Sequence, residues 1–195
     1  MSGTETSQKI LSIAREILDA DGIGAVSFDA IARRLGRSKQ AVLYWYPTKR
    51  DLLAAMFLPW LQAETDTAED AVSKATNRVE AIGSFVRAVA WFHFADLDRF
   101  RMMYLLPQTT NLNPTSRGIM ITGEEVYQVT NRLYGVLADH LDGKREAARK
   151  EAVAIHSAVL GLVLMFALAD ALRDPLKHSE IDMIDTLIAS LTSKS

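Results

Sequence analysis

The sequence contains no cysteine. That excludes a disulfide framework, a thiolate metal site, a cysteine nucleophile and a thiol redox sensor. It fits a reducing compartment. Long apolar runs are also missing. The longest, Ala158 to Ala169, has twelve residues between Ser157 and Asp170. About 20 are needed to cross a bilayer, so a buried helix of a soluble protein is expected. The start, Met1 to Lys9, is polar and lacks the apolar stretch of a secretory signal. These features predict a cytoplasmic protein with no membrane partner. Neither charge sign is in clear surplus: 22 Lys and Arg stand against 24 Asp and Glu, a net charge of -2 over 195 residues. That total alone gives no sign of a nucleic-acid partner. Disorder is excluded by the 49% of apolar residues, close to the globular average. The length fits one domain, or a large one with a small satellite.

Catalytic frames are missing too. The sequence has no G-x-S-x-G, no H-E-x-x-H, no phosphate-cradling glycine loop and no recognisable frame of paired carboxylates. No enzyme activity and no cofactor are expected. A metal site is not expected either, because His93 and Asp96 lack a third and fourth ligand in pattern.

What is present is helical periodicity. Ile10, Ile13, Ala14, Ile17 and Leu18 recur at helical spacing and predict a helix over about 8–20, ended by Gly22 and Gly24. Ser27 caps a short second helix holding Phe28, Ile31, Ala32 and Leu35, and Gly36 stops it. Ser38 caps a third helix from Lys39 to Trp45, closed by Pro47. Thr48 to Asp51 reads as a capping box. The fourth helix follows, and Pro59 within it should kink or interrupt it. Apolar stripes continue over 76–95, 97–106, 118–141, 144–173 and 180–193, with breaks at Pro107 to Pro114, Asp142-Gly143 and Asp174-Pro175. No stretch alternates as a strand does, and there is no repeat or low-complexity segment. The expected fold is all-α, with about nine helices.

Three short helices with a glycine between the second and third have the form of a helix-turn-helix module. In such modules the later helix enters the major groove. Its exposed positions here would be Arg37, Lys39, Gln40 and Tyr44, with small Ala41 allowing close approach and Val42 and Leu43 at least partly inward. Charge distribution agrees. Six basic residues and no acidic one lie between Arg33 and Arg50. Residues 1–60 carry a net +2 and residues 61–195 a net -4. Such a patch neutralises phosphates, although a solvated basic face has the same composition.

The stretch from Ile10 to about Phe57 resembles the DNA-binding domain of TetR-family transcriptional regulators. Gly36, Ser38 and Lys39 follow that family's start of the recognition helix. Tyr44, Tyr46, Thr48 and Lys49 follow its aromatic cluster and its Ser/Thr-Lys before helix 4. Two positions depart from it. Leu43 stands where the family usually has the first tyrosine, and Arg37 where it has a small apolar residue. The resemblance implies a helix-turn-helix domain over 1–57 and a ligand-binding and dimerisation domain over 58–195. It implies a ligand-responsive regulator, by default a repressor, with double-stranded DNA, a small-molecule effector and a second copy of the chain as partners. Tilting of helix 4 would carry the response. Lys39 and Gln40 would meet base edges, and Ala41 and Val42 thymine methyls. Ser27, Tyr44, Thr48 and Lys49 would position phosphates, beside the positive end of helix 4. Arg37 and Ser38 complete the set.

For the effector, Trp91, His93 and Phe94 with Met102 and Met103 offer aromatic and soft apolar surface. Tyr127 and Asn131 share a helix face with Tyr134, and His156 opens an apolar helix. Each of these fits a pocket wall or ordinary core equally. For the dimer, Leu160, Leu164 and Leu168 on one helix and Ile184, Leu187, Ile188 and Leu191 on the last give more apolar surface than one core needs. A two-fold four-helix contact would bury it. Two other functions fit an all-helical chain: an interaction scaffold that has lost DNA binding, and an enzyme of unrecognised reaction.

Overall fold

The computed structural model of the chain describes residues 3–105, 123–172 and 177–193. All regular structure among them is helical, with no strand. Nine α-helices are described: α1 (Gly3–Asp21), α2 (Phe28–Leu35), α3 (Lys39–Trp45), α4 (Lys49–Val72), α5 (Arg78–Phe94), α6 (Leu97–Phe100), α7 (Gly123–Ala138), α8 (Arg145–Leu172) and α9 (Glu180–Thr192). A 3-10 turn, Ile23–Ala25, follows α1. The segment expected as one helix over 97–106 divides into α6 and a π-helical stretch, Arg101–Leu105. The breaks expected at Pro107 to Pro114 and Asp174-Pro175, and the helix start expected at 118–122, lie outside the described residues.

Two compact units divide the chain. One holds the described residues up to Trp60 together with 123–126, and the other holds Leu61 to 105 and the residues from Tyr127 on. In the first unit, the stripe of Ile10, Ile13, Ala14, Ile17 and Leu18 is buried. Full burial of such a side chain contributes about 1.5–3 kcal/mol. α1 ends as its glycine predicts: Gly22 takes a φ of 74° and donates its N–H to the Leu18 carbonyl at 2.9 Å. α2 begins where the Ser27 Oγ accepts from the Ala30 N–H at 3.2 Å. It ends at Gly36, whose φ of 68° is left-handed and favours a residue without Cβ. The next N–H, of Arg37, returns to the Ala32 carbonyl at 3.0 Å. α3 starts at a second serine cap, with the Ser38 Oγ accepting from the Ala41 N–H at 3.3 Å. Its far end is held to α1, where the Tyr46 hydroxyl and Ser7 Oγ lie 2.7 Å apart.

α4 opens with the predicted capping box, in both directions. The Asp51 N–H donates to Thr48 Oγ1 at 3.1 Å, and the Thr48 N–H donates to Asp51 Oδ2 at 3.0 Å. Pro59 does not interrupt this helix, which runs unbroken to Val72. Proline removes one N–H from the ladder, but buried side chains hold the helix on either side: Leu52, Leu53 and Met56 before it, Ala68 and Val72 after it.

In the second unit, α5 and α8 supply most of the core. Ile82, Phe85, Val86 and Val89 meet Ala152, Ile155, Val159 and Val163, with Leu133 and Leu137 of α7 and Ile184 of α9 completing it. Ion pairs link the same helices: Arg78 to Glu151 at 2.8 Å, and Arg87 to Asp185 at 2.9 Å. The twelve-residue apolar run proves to be part of a longer feature. Arg145–Ala171 is long and apolar enough, by length and composition, to cross a membrane. Its successive turns bury Ala148, Ala152, Ile155, Val159, Val163 and Ala167 in this core. That is the pattern of a core helix.

Candidate nucleic-acid interface and buried polar centre

The first unit presents the predicted face of α3. Val42 is fully buried and anchors the helix, while Arg37, Lys39 and Gln40 are exposed. Tyr44, at 76% exposure, is the most exposed of the large hydrophobic side chains. Ala41 and Leu43 are intermediate. A helix whose inward side chain is apolar and whose outward ones are Lys, Gln and Tyr can present donors to base edges. Lys39 is not solvated alone: its Nζ lies 2.8 Å from Asp29 Oδ2 on α2. Lys49 is exposed at the start of α4.

The hydroxyls differ in their partners. Ser27 and Ser38 use an oxygen lone pair for capping, and each keeps an O–H to donate. Thr48 donates both its N–H and its O–H to Asp51, the latter at 2.7 Å. Both bonds help to start α4.

The second unit contains a polar centre inside its core. Glu64 of α4 is 0% exposed. Its Oε2 accepts from the Tyr104 hydroxyl at 2.7 Å, and its Oε1 lies 2.9 Å from His156 Nε2. His93 Nε2 approaches the same Oε1 at 3.3 Å, while His93 Nδ1 has no hydrogen-bond partner. The Tyr134 hydroxyl lies 3.2 Å from His156 Nδ1. Burial pushes the Glu64 carboxyl upward, but the hydrogen bonds and charges of His156 and His93 outweigh it and hold it at about 2. Burial and the Glu64 charge push the Tyr104 phenol well up, so it stays protonated and donates. An ionised carboxylate only accepts, so His156 carries hydrogen on Nε2.

Aromatic rings enclose this centre. The His93 ring stands edge-on to Phe92, Phe100 and Tyr104 at centroid distances of 5.2, 5.2 and 5.4 Å. Phe85 meets His156 at 6.0 Å. Of the residues proposed for the effector, His93 and His156 come together here. Met102 and Met103 are half-buried, and Phe94 packs on Phe166 at 5.1 Å. Trp91, Tyr127 and Asn131 are exposed instead. Trp91 and Tyr127 stand at 42% and 59% exposure, so these three do not line the interior. Of the dimer residues, Ile184 belongs to the chain's own core and has no surface to offer a partner.

Tyr134 lies on the helix face expected from the sequence, whereas Glu64 is not singled out there. A signal for Glu64 existed. Leu61, Glu64, Thr65, Ala68 and Val72 recur at helical spacing, so the glutamate stands in the apolar stripe of α4.

α2 and α3 form a helix-turn-helix with an exposed outer face, and a helical unit with a polar interior follows. Residues 10–56 match the sequence model of the bacterial regulatory proteins of the tetR family. No curated protein matches the chain. Several solved structures do. FadR of Bacillus subtilis, in complex with stearoyl-CoA, is 13% identical with a TM-score of 0.67, covering 96% of this chain and 98% of that one. The multidrug binding protein EbrR, complexed with imidazole, is 18% identical with a TM-score of 0.66, over 95% and 93%. The TetR-family transcriptional regulator PfmR of Thermus thermophilus is 19% identical with a TM-score of 0.59, over 94% and 97%. Residues 10–56 are thus similar to the N-terminal domain of the tetR-family regulators, and the chain has the fold of these solved structures.

Proposed function

We propose that the chain is an effector-responsive repressor that binds a near-palindromic operator as a homodimer in the cytoplasm and is released by a small molecule. The observation that carries this reading is the outer face of α3, where Lys39, Gln40 and Tyr44 are exposed over a buried Val42. Lys39 and Gln40 read bases, and Ala41 meets thymine methyls. Ser27, Arg37, Ser38, Tyr44 and Lys49 hold phosphates. The domain limits are 1–57 for DNA and 58–195 for effector and dimer. The polar centre of the second unit supports an effector role, and the imidazole and stearoyl-CoA held by similar folds agree with a small-molecule ligand.

The dimer surface is the outer stripe of α8. Leu168 is exposed there, Leu160 and Leu164 are half-buried, and Gly161 leaves room for close approach. Leu187, Ile188 and Leu191 of α9 are half-buried and extend it. Two recognition helices related by two-fold symmetry would meet half-sites about 34 Å apart, or a multiple of that.

Electrophoretic shift with the DNA upstream of the chain's own gene tests the reading. Salt-sensitive binding that depends on a palindrome is expected. Failure to bind any DNA would leave the scaffold reading in its place. Turnover of a substrate would favour an enzyme.

A further inference from the structure

We propose that Asp29 is a positioning residue for the base-reading Lys39, and that their ion pair makes DNA recognition selective by withholding the lysine from phosphates. This deepens the DNA-binding reading above and rests on it.

The basic residues of the helix-turn-helix and of the start of α4 fall into two groups. Arg33, Arg37 and Lys49 are exposed, and among the described residues none of them has an acidic partner within ion-pair distance. Arg34 approaches Asp21 at 3.5 Å. Lys39 is held more closely. Its Nζ donates to Asp29 Oδ2 at 2.8 Å, from α3 across to α2. The two residues are 10 positions apart, so the helix-turn-helix itself brings them together. Each stands in the first turn of its helix, just after a serine cap: Ser27 bonds the Ala30 N–H, and Ser38 bonds the Ala41 N–H. The caps fix both backbones where the pair forms. The first turn of α3 has no acidic residue of its own, so the carboxylate beside Lys39 comes from the neighbouring helix.

A solvent-exposed ion pair contributes little to stability, and both side chains keep access to solvent, at 45% and 64%. Its effect falls on recognition. A free lysine is a flexible point charge, and any phosphate satisfies it whatever the sequence. Beside Asp29 the same ammonium brings no net charge to the groove. Two of its three N–H donors remain, and they suit the O6 and N7 acceptors of guanine. The carboxylate, in turn, repels phosphate oxygens. Gln40, the next residue, is uncharged. The base-reading start of α3 is therefore electrically neutral, and the cations without an acidic partner, Arg37 and Lys49, flank it along the chain. Affinity comes from the flanks and selectivity from the middle.

Fluorescence anisotropy of the full-length chain with two labelled duplexes tests this. One is a sequence that the wild type selects from a random pool, and the other is a scramble of it. Asp29→Asn releases the lysine to phosphates. Binding to the scramble should tighten several-fold at low salt, and its salt slope should steepen by about 0.9, the value of one added phosphate contact. Preference for the selected sequence should fall about 5- to 150-fold, the range for one lost base contact. Asp29→Glu keeps the charge and should keep the wild-type slope. In a Lys39→Ala background, Asp29→Asn should leave the preference unchanged, because no lysine is there to release; a merely structural Asp29 would lower it in both backgrounds. Unchanged preference and slope in Asp29→Asn, a steepened slope in Asp29→Glu, or an equal fall in the Lys39→Ala background would each overturn the assignment. A wild type that selects no sequence defeats the regulator reading and this assignment together. A selected sequence with any of those three results defeats this assignment alone.

Discussion

Removing the Glu64 side chain should destabilise the protein severely, and the size of the loss follows from its partners. Glu64→Ala leaves the Tyr104 hydroxyl and the His156 Nε2–H without the acceptor they now have at 2.7 and 2.9 Å. A hydrogen bond to a charged group is worth about 1.5–3 kcal/mol. Against this, the mutant no longer holds a carboxylate out of water. Breaking a buried pair by removing one partner costs about 3–5 kcal/mol after that offset. Whole proteins are stable by only about 5–15 kcal/mol, so the variant should lose a large share of its folded population. Glu64→Gln keeps the volume and one acceptor, and His156 can exchange tautomers, so about 1–3 kcal/mol is expected. Urea denaturation followed by circular dichroism measures both. The pH dependence adds a sign. Folding holds Glu64 at about 2 against an ordinary 4.5, a gain on the order of 3 kcal/mol at about 1.4 kcal/mol per pH unit. That gain is complete above about pH 4.5 and is lost as pH falls toward 2. The stability gap between wild type and Glu64→Gln should therefore narrow over that window and stay level above it. A loss under about 1 kcal/mol in Glu64→Ala, or a gap that widens on acidification, would refute the reasoning.

Other consequences are as specific. Asp51→Ala removes both bonds from Thr48 and should lower stability by about 1–2 kcal/mol in the same urea assay. Gly36→Ala places a Cβ at a φ of 68° and should cost about 1 kcal/mol. Lys49→Ala should weaken binding to all DNA about equally and reduce the salt slope by about 1, whereas Gln40→Ala should relax preference at one base pair; unchanged affinity in both would remove α3 and the start of α4 from the interface. Leu168→Glu should shift a dimer to monomer in analytical ultracentrifugation at micromolar concentration, and a wild type that is already monomeric there would end the dimer proposal.

The first unit was legible because its signals are local. Ser27, Ser38, Thr48, Gly22 and Gly36 each act within three or four residues of their own position, so caps and stops can be read along the chain. The second unit depends on pairings the chain does not display. The Glu64–His156 contact joins residues 92 positions apart, and no periodicity encodes which polar side chains meet. Tyr127 and Asn131 share a helix face with Tyr134, as their spacing requires, yet only Tyr134 reaches inward to His156. One face of a helix is wide enough for one edge to be buried and the other wet. Ile184 shows the same limit from the other side: its stripe is apolar, but the stripe cannot say whether the neighbour is this chain or its copy.

The near-zero net charge hides an uneven distribution. The basic residues of 33–50 lie on α2, in the turn to α3, on α3 and at the start of α4, while the Glu64 carboxylate is buried in the second unit. Both ends of that contrast are on α4. Lys49 and the capping box begin it, and Glu64 stands fifteen residues further on. A ligand shifts an equilibrium only through a difference in affinity for the two states. If an effector changes the partners of Glu64, it acts on a side chain of the helix that carries Lys49. Pro59 lies between them and removes one hydrogen bond from that helix, which makes it the weakest rung in the span. A Pro59→Ala variant restores that rung. If α4 transmits by moving as a rod, restoring it should leave effector-induced DNA release intact or sharpen it. If α4 transmits by bending at residue 59, the same variant should bind the effector normally and fail to release DNA.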